Sequence, residues 1–73
     1  MNRVVVLGEP GRIGGFRLTG ATVIEATGPV EVDRAWRTLQ MDTTLLILTP
    51  MAEAVVGVRL PERARLTWVV MPG

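Results

Sequence analysis

Val4-Val5-Val6-Leu7-Gly8, followed by Glu9-Pro10-Gly11-Arg12-Ile13-Gly14-Gly15-Phe16-Arg17-Leu18-Thr19-Gly20, is the stretch whose reading decides the fold. Four consecutive apolar residues, β-branched first, are what a strand buried on both faces requires. The run stops at a glycine, and a glycine-rich turn leads into a short helical segment ending at Gly20. A strand covered on both faces is a central strand of a parallel sheet, and the remaining segments read as units added to it.

The first strand is expected from about Arg3 to Leu7, and the helical segment over roughly Arg12 to Thr19, with Ile13 and Phe16 on one face. Gly14 and Gly15 make that helix intrinsically poor, each costing about 1 kcal/mol relative to alanine. It therefore depends on Ile13 and Phe16 packing onto the sheet or a partner. Ala21 to Ala26 reads as a second strand, and Thr27-Gly28-Pro29 breaks it.

From Pro29 to about Met41, Val32, Ala35, Trp36 and Leu39 recur at helical spacing and form one apolar stripe. Asp33 and Arg37 are an acid-to-base pair one turn apart. Thr43 to Leu48 is a third strand, apolar in its second half and so expected at the centre. Thr49-Pro50 is a cap residue followed by proline at the first helical position. The helix it opens is expected from Met51 to about Val58, then a polar connection from Arg59 to Arg65. Leu66 to Met71 is a fourth strand, ended by Pro72-Gly73.

Strands alternating with helices predict an α/β domain covering residues 1–73. The expected architecture is a four-stranded parallel sheet, order 2-1-3-4, flavodoxin- or Rossmann-like with three short helices. That order puts strands one and three, the most uniformly apolar runs, in the middle.

Composition narrows the chemistry. The 73 residues include no cysteine and no histidine, which removes disulfides, thiolate metal sites and the usual acid/base near neutral pH. All eight basic residues are arginine, so a Schiff-base or P-loop lysine is absent as well. The arginines are scattered and the net charge is only +1, which argues against a nucleic-acid footprint. No apolar run approaches the ~18–20 residues that span a bilayer. Without cysteine or an export signal, a cytoplasmic location is expected, with any membrane association indirect, through a complex.

Gly8, Gly11 and Gly14 lie between a strand and a helix, where dinucleotide-binding proteins carry their glycine fingerprint. Such a turn brings backbone N–H groups toward a phosphate. These glycines are weak cofactor-binding candidates, because glycines also serve any tight strand-to-helix turn and the helix here is short. Neither cofactor, metal nor catalytic residues are expected. A phospho-receiver site is excluded, since its acceptor position after strand three holds Thr49 and lysine is absent. Trp36 is expected in the core. Trp68, on a strand that closes the sheet, is a candidate partner contact. Arg17 is either a solvated arginine or a contact to a carboxylate of a neighbouring protein chain.

The block Gly15-Phe16-Arg17-Leu18-Thr19-Gly20-Ala21 resembles the start of the small central-stalk component, designated F, of the V/A-type rotary ATPases, which carries Gly-Phe-Arg-Leu-Ala/Thr-Gly at this point. Leu45 to Thr49, with Ala52 and Glu53 in the following helix, looks like the family's third strand and helix. Val69-Val70-Met71-Pro72-Gly73 looks like its fourth strand. The resemblance implies a non-catalytic central-stalk protein that binds the coiled-coil rotor shaft and modulates rotary coupling. It makes Phe16, Arg17 and Leu18 candidate partner contacts. It also implies a short form, without the C-terminal arm by which family members engage the catalytic head. Two other readings stay open: a stand-alone domain binding a nucleotide or phosphate at the first turn, and a homo-oligomer pairing through its edge strand or an exposed apolar helix face.

Overall fold

The computed structural model describes residues 2–72. β1 (Arg3–Gly8), β2 (Thr22–Glu25), β3 (Thr43–Leu48) and β4 (Thr67–Val70) form one sheet in the order β2-β1-β3-β4. All three pairings are parallel, as the alternation of strands and helices predicts. Gly73, expected with Pro72 at the end of the fourth strand, lies outside the described residues.

The strand period of two sorts β1 between two faces. Val5 and Leu7 join Leu46 and Leu48 of β3 in the main core. Helices α2 (Pro29–Arg37) and α3 (Pro50–Val56) close this core with Val32, Ala35, Trp36, Ala52 and Val56. Trp36 is buried, as its place on the apolar stripe predicts. Val6 points to the opposite face, where α1 (Pro10–Ile13) buries Ile13.

The segment after the first turn departs from expectation. In place of one helix from Arg12 to Thr19 there are four residues of α-helix and then a 3-10 segment, Gly14–Thr19. None of its residues is buried, and Phe16 is only half-buried. With two glycines at its start, the stretch lacks the propensity to hold an α-helix without deeper packing. Gly20 closes it at φ 84°, the left-handed cap position.

Two further boundaries move for local reasons. α2 stops at Arg37, short of Met41, because the Thr38 hydroxyl donates to the carbonyls of Arg34 and Ala35. α3 gives way at Gly57 to a 3-10 segment, Gly57–Glu62, in a stretch expected to be a polar connection from Arg59. Its Leu60 is buried in the core, which anchors the crossover to β4.

Candidate functional site

In an open α/β sheet of this order, ligands bind beyond the carboxyl ends of the strands where β1 and β3 diverge. Gly8 ends β1 at that point, and Gly11 and Gly14 follow in and after α1. The chain's own residues occupy the crevice. A Cβ on Gly8 would collide with the side chain of Thr49, which begins α3. The Thr49 hydroxyl donates to the Glu9 carboxylate and accepts from the Ala52 N–H at 3.4 Å. That hydrogen bond, with the Arg12 guanidinium nearby, holds the Glu9 carboxyl below the usual carboxylate range.

The three candidate glycines therefore differ in kind. Gly8 is required by the close approach of Thr49. Gly11 and Gly14 would each carry a Cβ into open space, and neither has a positive φ. In a dinucleotide fingerprint, close helix–strand packing and backbone approach to phosphate are the reasons for glycine. Here a carboxylate, Glu9, stands at the mouth of the turn instead. A groove of about 490 Å³ lies at the other end of the strands, beside the paired Arg3 and Asp42.

The four candidate partner residues fall into two places. Phe16, Arg17 and Leu18 lie on the 3-10 segment that flanks β2 on the α1 face. Leu18 is almost fully exposed. The Arg17 guanidinium donates to the protein's own Glu25 at 2.8 Å, so the carboxylate partner is internal to this chain. Trp68 is remote from them. It pairs with Leu46 in register, so its side chain stands on the α2–α3 face at the far edge of the sheet, 38% exposed.

One surface went unread in the sequence. α1 and its 3-10 extension pack on β1 and β2 rather than on the β3–β4 half of their face, and from α1 the Arg12 guanidinium reaches the Pro72 carbonyl beyond β4 at 2.7 Å. Leu45, Ile47, Thr67 and Val69 share that half by register, and Val4 of β1, paired with Leu45, borders it on the same face. Val4 is 37% exposed, Val69 is 52% exposed, and Leu45 and Ile47 are half-buried. The uniform apolarity of β3 was the available signal. It is fully apolar in its second half, yet only one of its faces meets a helix of this chain.

Arginine side chains tie the far side together. Arg63 stacks over the Trp36 ring at 5.1 Å and donates to the carbonyls of Leu39 and Gln40, just beyond the end of α2. Asp33 accepts from its helical partner Arg37, as the spacing predicts, and also from Arg59 of the 3-10 segment that follows α3. These two arginines hold the Asp33 carboxyl below its ordinary value. No group of acidic residues able to hold a metal occurs among the described residues, and no described helix is long and apolar enough to cross a membrane.

No family model matches the chain, and no curated protein or solved structure matches it significantly.

Proposed function

We propose that this domain is a non-catalytic interaction protein of the V/A-type ATPase central stalk, docking a helix of the coiled-coil rotor shaft and so modulating rotary coupling. The observation that carries the reading is the open apolar strip of Leu45, Ile47 and Val69 on the β3–β4 half, bordered by Val4 of β1. Parallel sheets are stable when helices cover both faces. A helix about 10 Å across covers two strands spaced about 4.8 Å apart. α1 and its extension occupy one such place, and the β3–β4 half is a second place of the same width. An apolar helix stripe supplied from outside completes the layer. The work is cytoplasmic, with the membrane reached only through the complex.

Co-expression with the coiled-coil rotor-shaft protein of a V/A-type ATPase tests this. The wild-type domain co-purifies with it, and Val4→Glu abolishes capture while leaving the circular dichroism and melting temperature unchanged. Absence of capture by the wild-type domain at micromolar concentration refutes the proposal.

A further inference from the structure

We propose that the outer edge of β4 pairs antiparallel with the same edge of a second copy, about a two-fold axis through Val69. The backbone bonds of β4 set the register. The Met71 N–H donates to the Leu48 carbonyl, and Leu48 is paired with Val70. In a parallel ladder, a residue's N–H and C=O point to the same side, and consecutive residues alternate. Thr67, Val69 and Met71 therefore face β3. Trp68 and Val70 turn their N–H and C=O groups outward, away from the sheet.

Two such edges fit in one register. With Val69 opposite Val69 of the second copy, each Trp68 stands opposite the other copy's Val70. Each of these pairs exchanges two hydrogen bonds, so the four bonds use every outward group of both residues. A register centred on Trp68 calls on Leu66, whose N–H is already donated to the Arg63 carbonyl. A register centred on Val70 calls on Pro72, which has no N–H. The side chains suit the pairing: Trp68 and Val70, both about 40% exposed, meet on the α2–α3 face, and the two Val69 side chains meet on the open face.

The two edges of the sheet are treated differently. Natural edges are usually blunted by charge, proline or a bulge. The β2 edge carries Glu25, bridged to Arg17, whereas β4 reads Thr-Trp-Val-Val with no charge. Unguarded and self-complementary, β4 is the edge that meets its own copy. This inference does not rest on the docked helix. Edge pairing joins two open strips into one continuous surface that remains available to a partner.

Sedimentation from micromolar to millimolar protein tests it, with hydrogen exchange of the wild-type amides alongside. The mass is expected to rise from 7.9 kDa toward twice that value. The Trp68 and Val70 amides gain protection in step with it. Val70→Pro removes an outward N–H that the monomer does not use, and weakens association roughly thirtyfold, the worth of two hydrogen bonds. Val69→Arg brings two guanidinium groups together at the axis and gives a monomer. A wild-type monomer throughout overturns the proposal. So does association that leaves the Trp68 and Val70 amides unprotected, which would place the contact on the sheet face. Capture of a coiled-coil partner is read separately, so either proposal can fail alone.

Discussion

The side chain of Thr49 occupies the space that any residue but glycine would need at position 8. The backbone holds them close as well, since the Thr49 N–H donates to the carbonyl of Leu7, the residue before Gly8. This contact shuts the crevice between β1 and β3, and it sets the first prediction. Gly8→Ala costs about 2–3 kcal/mol through overpacking. Thr49→Ala costs about 1 kcal/mol through loss of the α3 cap. The double variant is more stable than the sum of the two costs, because shortening Thr49 relieves the collision. Urea denaturation of the three variants measures this, and strict additivity would contradict the contact.

A closed crevice also predicts silence toward nucleotides. A ligand present at 100 times its dissociation constant raises stability by about 2.7 kcal/mol. Across mono-, di- and triphosphate nucleosides and dinucleotides, the melting temperature is expected to stay fixed. A rise with any of them would show that Glu9 and Thr49 move aside, and would restore the phosphate-binding reading of Gly8, Gly11 and Gly14.

Stability should fall on the acid side. Four carboxyls, Glu9, Glu31, Asp33 and Asp42, titrate below their ordinary values of 4.5 for glutamate and 3.8 for aspartate. Hydrogen bonds from Thr49, Thr27, Arg59 and Arg3 respectively are the leading causes. A depressed folded-state pKa adds stability above the unfolded value and loses it as pH falls through the folded value. The arginine partners stay charged throughout. The urea midpoint is therefore flat above about pH 5.5 and declines below about pH 4.5. Asp33→Asn lowers the plateau and makes the decline shallower. Glu31 is exposed and Glu9, Asp33 and Asp42 are half-buried, so solvent screens these bonds in part, and the effect is modest and shrinks with added salt.

Arg63 is expected to matter more than an ordinary surface arginine. It combines a face-on contact to Trp36 with two bonds to backbone carbonyls at the end of α2. Arg63→Ala should cost about 1–2 kcal/mol. Arg63→Lys should recover only part of that, because an ammonium cannot stack flat and reach both carbonyls. Full recovery by lysine would show that charge alone is at work.

Arg17 separates the two candidate partner faces. Its bond to Glu25 is solvent-exposed, so Arg17→Ala should change stability by less than about 0.5 kcal/mol. If the open sheet strip carries the partner helix, Arg17→Ala retains capture and Val4→Glu loses it. The opposite pattern would move the contact to Phe16, Arg17 and Leu18.

What the order of residues dictated is the frame. The apolar runs Val4–Leu7 and Leu45–Leu48, the stripe through Val32, Ala35, Trp36 and Leu39, and the Thr49-Pro50 start of α3 each declare themselves within a few neighbours. Periodicity and capping act over one or two turns, so they are legible locally, and they sufficed for the parallel order β2-β1-β3-β4. What the folded chain decided lies between distant residues: Thr49 against Gly8, Arg59 on Asp33, Arg63 over Trp36, and a helix covering only half of one sheet face. No local pattern encodes which side chains meet across 26 to 41 residues of chain. Within the glycine-rich turn, only the fold shows that Gly8 stands against a threonine that begins the β3–β4 crossover.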